Sequence, residues 1–493
     1  MRTFHGVIAF LLLLAVIAPL TAAPEPVVPG AVWLDDEGHP IEAHGGGVTR
    51  VGDTFYWYGE DRSPGNPAEV RCVSGYSSKD LVHWTHLGQV MKTTIAIVER
   101  PKVYFNPKRN TWVMWVHLDG QLPGQPYYSV ASVGVFVSGN PAGPFQMIKM
   151  FRPLGRESRD IGQFLDDDGA AYLIFEDRPS GFHIARLTDD YEDIATDVSL
   201  LPQHLEGGVL AHIDDLYYAG GSHLSSWAPN PNVYATSRSL SGPWSTFENI
   251  APPETNTYMS QSTMLLKVKG ANTTALLFMA DQWKPRNLSD SRYLWMPLIV
   301  DKGKLTLPAP RPWKIDVASG EVSFDVSPQD VKVAEDRRRQ DLAAMNASVA
   351  LPTTATASSF QPGWEASKTV DGTAATFWHT QWSPVRAALP QSITLDLGSV
   401  RTLTKLTYVP RQDGHGSGTI TKYAVSVSSD GVQFGASIAS SYWTGDASVK
   451  TAVLPFPTAR YVRLEAFEGI DGAASAAEIT VFGEAVTTTN GTH

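Results

Sequence analysis

The stretch GGGVTRVGDTFYWYGED (45–61) packs a short strand, a tight turn and an aromatic-rich strand into one phrase. The phrase returns as RPKVYFNPKRNTWVMWVH (100–117), DIGQFLDDDGAAYLIFED (160–177), EGGVLAHIDDLYYAGGS (206–222) and SQSTMLLKVKGANTTALLFMAD (260–281). Its starts, Gly45, Arg100, Asp160, Glu206 and Ser260, lie 55, 60, 46 and 54 residues apart. A period of that size with several strands per unit predicts a β-propeller. Between these hairpins, SSKDLVHW (77–84), VSGNPAGPF (137–145) and SRSLSGPW (237–244) each close a strand with a polar turn and an aromatic. Inner plus outer hairpin gives about four strands per unit, so five blades are expected over 31–325. No long amphipathic helical period interrupts them, which argues against a (β/α)₈ barrel. In a propeller every copy starts at the central channel, so polar residues there converge on one pocket.

Beyond the blades the chain changes character. Residues 326–349 are charged and helix-friendly and predict a linker or bridging helix, with Ser327-Pro328 as the helix start. Strands with period-two alternation then resume over 350–484 (SITLDLG, TLTKLTYV, KYAVSVSSDG, ARYVRLEAFE, AEITVFGE), separated by Gly, Asp and Ser turns as in a β-sandwich. Residues 485–493 read as a tail. At the other end, Arg2 and His5 precede an apolar run from Val7 to Leu20 and the small residues Thr21, Ala22 and Ala23. That is the pattern of a secretory signal over 1–22, too short for a membrane span. A secreted, extracellular protein is expected.

Cys72 is the single cysteine, so no intramolecular disulfide can form, and its alternating strand VRCVSGYSS makes it a buried small hydrophobe. Sequons occur at Asn272, Asn287, Asn346 and Asn490. The net charge of −11 is spread without long runs, which counts against nucleic acid and anionic membrane as partners. A monomer is expected.

Asp160 (in SRDIGQF) and Glu206 (in HLEGGVL) occupy matching places ahead of successive inner strands. Glycosidic cleavage needs one carboxyl to protonate the leaving oxygen and a second group to activate water or attack, and a channel mouth drawing acids from different blades suits it. The alternative is that each acid only caps a turn or pairs with an arginine. Trp227, in the loop SSWAPNPN with Asn230, is a candidate platform for a sugar ring; Tyr258 and Trp283 flank the fifth hairpin. Trp57, Trp112 and Trp115 alternate within strands and read as core.

In order along the chain, EAHGGGVTRVGDTFYWYGED, ERPKVYFN, SRDIGQFLDDDGAAYLIFED, SSWAPNPN and MSQSTMLL resemble the family 43 glycoside hydrolases, and more narrowly their exo-β-1,3-galactanase branch. The resemblance implies a five-bladed propeller that hydrolyses glycosidic bonds with inversion and needs no catalytic cofactor. By it, Glu206 matches the general acid and Asp160 the acid that tunes and orients the proton donor. Glu99 matches a substrate-contacting carboxylate, and Arg100 beside it holds strand geometry or pairs with an acid. Most of the family starts its first blade with an aspartate base, whereas this chain has AHGGG. The galactanase branch shares that absence and uses a glutamine from the last blade, which Gln261 matches. Glu99 competes as base because it can titrate, and His44 is a third option or a sugar contact. An α-L-arabinofuranosidase or β-xylosidase is disfavoured because those branches depend on the missing aspartate. A non-catalytic carbohydrate-binding propeller is disfavoured because both Asp160 and Glu206 are present.

The second domain, through SKTVDGTAATFWHTQW, SITLDLGSV, LTYVPRQDG and ARYVRLEAFE, resembles the discoidin-type sandwiches of the galactose-binding, family 32-type carbohydrate-binding modules. The resemblance implies sugar contacts at His379, Trp382 and Arg411, and a structural Ca²⁺ at Asp371 closed by Glu478. The implied partner of the whole chain is a β-1,3-galactan or arabinogalactan polysaccharide.

Overall fold

The computed structural model describes residues 24–485 apart from 68 and 352. The expected signal segment, the far tail and the Asn490 sequon lie outside the described residues. The five repeated phrases each become the inner hairpin of an antiparallel sheet. Four sheets, over His44–Thr93, Ile97–Phe151, Ile161–Leu201 and Leu205–Asn249, have four strands each; the fifth, over Gln261–Pro297, has three. The strands run in order from the channel outward, as in propeller blades. The chain's beginning closes the ring: Val27 bridges Trp313, and the Gly30 amide donates to the Tyr293 carbonyl at 2.8 Å. Pairing with the last blade thus begins before residue 31, the expected start.

The tryptophans seal the blades to one another. Trp57 is buried and packs on Trp84 and Trp295 at 5.2 and 4.6 Å between ring centroids, joining the first and last blades. Trp112, Trp115 and Cys72 are buried as expected. A buried aromatic removes 150–250 Å² from water, so this seam is a large part of what keeps the ring closed.

Register decides what reaches the channel mouth. In an antiparallel hairpin the start of one strand faces the end of the next. His44 opposes Glu60, Glu99 opposes His117, Glu206 opposes Ser222 and Gln261 opposes Asp281. In four blades the pairing then slips, between His44 and Gly47, Glu99 and Lys102, Glu206 and Val209, and Ser262 and Met264. A bulge bends its strand and re-aims a side chain. Gly45 (φ +60°) and Gly207 (φ +62°) supply the left-handed turn in blades one and four. A Cβ at these positions would lie 2.4 Å from Glu60 Oε1 and 2.7 Å from the Ser262 carbonyl. Arg100 takes the same conformation (φ +55°) without being glycine. Below the mouth, Lys102 Nζ donates to the carbonyls of Gly45, Gly46 and Thr263 at 2.8, 2.7 and 3.0 Å, closing the channel.

Pro328–Ala347 is a helix, capped by reciprocal Ser327–Asp330 hydrogen bonds with Pro328 in its first turn. Its Arg337 reaches Glu25 at 2.9 Å and its Leu342 covers Gly38, so it braces the propeller as well as linking onward. The second domain is a β-sandwich around Trp378, Leu395, Tyr408, Trp443, Val462 and Ile479. The segments SITLDLG and TLTKLTYV, expected as two strands, form one continuous strand, Gln391–Val409, whose pairing slips between Asp396 and Arg401. The turn residues there bend the strand instead of ending it. The sandwich contacts the first two blades, with Ser441 Oγ 3.3 Å from Ser77 Oγ and Thr444 covering Gly88 in the first, and Asn140 of the second donating to the Thr421 carbonyl at 3.5 Å. No helix among the described residues is long and apolar enough to cross a membrane.

Candidate active site

At the channel mouth a cleft of about 520 Å³ collects Glu99, Asp160, Glu206, Gln261 and Trp227. With Arg100 and Trp283, seven of the residues singled out in the sequence thus meet in one place. Glu60, Arg62, His117, Tyr128, Glu176 and Arg178 join them.

Glu206 stands at the bulge of blade four with its side chain 13% exposed. Burial first, then the nearby charges of Asp160 and Glu176, raise its pKa to about 8, against the pull of Arg100 and Arg178. Asp160, the tuning acid that the resemblance implies, contributes second to desolvation. Asp160 accepts from the Gly207 amide at 2.8 Å and pairs with Arg100 at 2.9 Å, which fixes its carboxylate beside the Glu206 backbone. A protonated carboxyl held next to a fixed carboxylate can deliver a proton at neutral pH.

Gln261 has every amide position filled. Its Nε2 donates to Glu206 Oε1 and Ser222 Oγ, both at 3.0 Å. Its Oε1 accepts from Arg100 and from Trp283 Nε1, the latter at 2.9 Å. Two N–H donors on one oxygen hold the group as an amide, because the imidic form would place an O–H against them.

Glu99 accepts from Tyr128 at 2.7 Å and faces His117 Nδ1 at 3.2 Å. Burial opposes its charge, but His117, Tyr128 and Arg62 outweigh burial and hold its carboxyl below the usual range. Blade one is not empty of acid at the mouth. The space left by the missing Gly45 side chain is filled by Glu60, which accepts from the Arg100 amide at 2.9 Å and pairs with Arg62. Burial raises its pKa. Glu99, His117 and Asp160 come close enough to share an ion, yet Arg62 and Arg100 already stand against these acids. The group is an ion-pair cluster.

Three expected sugar contacts fall elsewhere. His44 is wholly buried between Glu42 and Asp281, 3.4 Å from each, and stacks on Tyr293 at 5.1 Å; the strand start that aims Glu99 at the cleft turns this ring into the wall. The two carboxylates outweigh burial and raise its pKa to about 9, so it is no free base. Asn230 borders an adjacent cavity, but its amide is spent on its own loop, bonding the His223 amide and carbonyl at 2.9 and 2.6 Å. Tyr258 packs on the propeller core. Trp227 does reach the cleft, 41% exposed and edge-on to Trp283 at 5.5 Å.

The added residues were legible in one respect. Glu60, His117, Glu176 and Ser222 all sit near the ends of the repeated phrases, in YGED, VH, FED and GGS, where hairpin register returns the chain to the mouth.

In the sandwich, His379 and Trp382 meet edge-to-face at 4.8 Å, Trp364 joins Trp382 at 4.9 Å, and Arg411 lies over Phe377 at 4.4 Å. Arg411 is also held by Asp413. Asp371 and Glu478 lie close enough that each shifts the other, and Glu478 Oε1 is buried without a hydrogen-bond partner. Two facing carboxyls, one with an orphaned oxygen, fit a hard dication.

Comparison with known proteins agrees with this geometry. The family described as "Glycosyl hydrolases family 43" matches residues 43–272, and "F5/8 type C domain" matches residues 354–479. A family 43 β-1,3-galactosidase solved with galactodeoxynojirimycin is 30% identical, covering 58% of this chain and 99% of that one, with a TM-score of 0.52. An exo-β-1,3-galactanase from Phanerochaete chrysosporium, solved with β-1,3-galactotriose, is 28% identical over 93% of this chain and 100% of that one, with a TM-score of 0.57. Galactose oxidase from Gibberella zeae is 38% identical over 130 residues, 26% of this chain and 19% of that protein. This chain spans about a fifth of the length of the curated relatives it matches. With its propeller, its acidic channel mouth and these matches, the chain belongs to the glycosyl hydrolases family 43 and carries an F5/8 type C domain behind the propeller.

Proposed function

We propose that this protein is an inverting glycosidase that removes residues from the end of β-1,3-linked galactan, the arabinogalactan backbone, with Glu206 as proton donor. The observation that carries this reading is Glu206 itself, half-buried at the channel mouth with a pKa of about 8 beside fixed Asp160. The galactan preference rests on one relative named an exo-β-1,3-galactanase and another named a β-1,3-galactosidase.

In the resting cleft Gln261 touches the proton donor directly. Inverting chemistry places acid and water-activating group about 6.5–9.5 Å apart, so substrate enters by displacing this contact. The released Nε2 then hydrogen-bonds the attacking water or a sugar hydroxyl, with Oε1 still held by Arg100 and Trp283, and the water loses its proton to solvent as its oxygen bonds the sugar carbon. Glu99, ionised and fully partnered, serves as an acceptor for sugar hydroxyls. Trp227 and Trp283 offer flat faces for the apolar side of a sugar.

The sandwich is read as a galactose-type binding module using Trp382, His379 and Arg411. Asp371 and Glu478 would hold Ca²⁺ there, and its part is structural. The protein is read as a secreted monomer. Incubation with β-1,3-galactan, arabinan and xylan, with products resolved by length and anomer, tests the reading. Galactose, or short substituted galactosides, released from galactan alone supports it; release of arabinose or xylose instead refutes it.

A further inference from the structure

One wall of the cleft is charged by a chain of groups that the proposed proton transfer does not use. Glu99 and His117 are cross-strand partners at the start and end of blade two's inner hairpin. His117 is 1% exposed, with Nδ1 3.2 Å from Glu99 Oε2 and Nε2 3.0 Å from Asp119 Oδ2. A neutral imidazole carries one N–H and one lone pair. Either neutral tautomer would therefore leave an unprotonated nitrogen within 3.2 Å of a carboxylate oxygen inside the protein. Only the doubly protonated ring sets positive charge against both acids. The Glu99 contact is an ion pair rather than an aligned hydrogen bond; the Asp119 contact is a hydrogen bond.

Both ends of this chain are anchored. Asp119 Oδ1 accepts from the amides of Gly120 and Val130 at 2.8 and 2.9 Å, and Arg159 stands 3.8 Å from its other oxygen. Tyr128 donates to Glu99 Oε1 while its ring lies over His117 at 6.2 Å, and Arg62 is 3.9 Å from the same Glu99 oxygen. We propose that His117, charged and clamped between Glu99 and Asp119, is a positioning residue that keeps Glu99 ionised and aimed into the cleft. This rests on Glu99 being a substrate-contacting carboxylate.

The groups facing the ring are Glu99, Asp119, Asp160 and Tyr128, with Arg62 and Arg159 behind the two acids. Burial disfavours the imidazolium, but Asp119, Glu99 and Asp160 outweigh burial and raise its pKa to about 9. Below that pH the clamp is charged; as pH rises through it, Glu99 stays ionised but loses His117 as a cationic neighbour, keeps only Arg62, and is no longer held in its aim. Sugar binding then weakens, independently of the Glu206 titration that limits turnover.

The test uses the full chain carrying Glu206→Gln, which removes both turnover and that titration. Calorimetric binding of β-1,3-galactotriose is measured from pH 6 to 10. Affinity is expected to fall about tenfold as pH rises through about 9. With His117→Gln added, binding is expected to be about tenfold weaker at pH 7 and flat with pH. A step that persists in the His117→Gln background overturns the proposal. Histidine-selective NMR on the wild-type chain gives a readout that needs no sugar. The His117 ring should titrate near pH 9, and lower in Glu99→Gln and in Asp119→Asn, which retains the shape of the site. A ring neutral at pH 7 overturns the clamp whether or not sugar binds. Absent galactotriose binding together with the expected ring titration supports the clamp and refutes the galactan reading.

Discussion

The raised pKa of Glu206 makes stability and catalysis answer to the same proton. An ordinary glutamate ionises near pH 4.3, and Glu206 does so near 8 in the folded protein. Below both values folded and unfolded chains hold the proton alike. As pH climbs between them, the unfolded chain releases its proton while the folded chain keeps it, and stability falls until pH passes 8. Each pKa unit is worth about 1.4 kcal/mol, so the full interval sets a ceiling of about 5 kcal/mol. Solvent at the 13% exposed side chain reduces this, leaving about 2–4 kcal/mol. Glu206→Gln cannot ionise and escapes the penalty. Denaturant unfolding of both chains at pH 5 and pH 9 reads the difference. The variant should gain about 2–4 kcal/mol on wild type between those two pH values, while wild-type kcat on galactan falls tenfold per pH unit above 8. An unchanged stability difference between pH 5 and 9 would refute the claim that folding holds this carboxyl protonated.

Three further outcomes are expected. Gly45→Ala forces a left-handed residue and drives a methyl into Glu60; it should cost about 1–3 kcal/mol in denaturant unfolding and reduce kcat/KM. Gln261→Ala leaves Arg100 and Trp283 without their shared acceptor and should lower kcat about 100-fold, whereas Glu99→Gln should raise KM and leave kcat within a few-fold. If Glu99→Gln lowers kcat about as far as Gln261→Ala does, Glu99 is the base. Chelation with EDTA, or Glu478→Ala, should lower the thermal midpoint of the sandwich and leave kcat on soluble oligosaccharides within about twofold; a matching loss of kcat would contradict a structural role for the ion.

Much of this was legible because strand repetition writes itself into sequence. Five aromatic hairpins gave blade number and placed Glu99, Asp160, Glu206 and Gln261 at one end of the channel. The errors share a cause. His44 precedes the bulge of blade one as Glu99 precedes that of blade two, yet Asp281 and Tyr293 from blade five capture its ring. Periodicity cannot report which neighbour a side chain meets. The apparent lack of an acid in blade one has the same origin: Glu60 comes from the partner strand and fills the room that Gly45 leaves. Asn230 and Tyr258 were placed in the right loops, but whether a loop residue faces sugar or its own backbone is settled by hydrogen bonds such as Asn230 to His223. In the sandwich, bending without breaking at Asp396–Arg401 merged two expected strands.

The central claim is that the Glu206 carboxyl donates the proton to the leaving galactosyl oxygen. The most direct test compares wild type and Glu206→Gln on β-1,3-galactan and on an aryl β-galactoside whose leaving group needs no proton. General acid catalysis contributes about 10²–10⁴ in rate. Glu206→Gln should lose about that factor on galactan and much less on the aryl galactoside. Hydrolysis of β-1,3-galactan by Glu206→Gln at the wild-type rate would contradict the account.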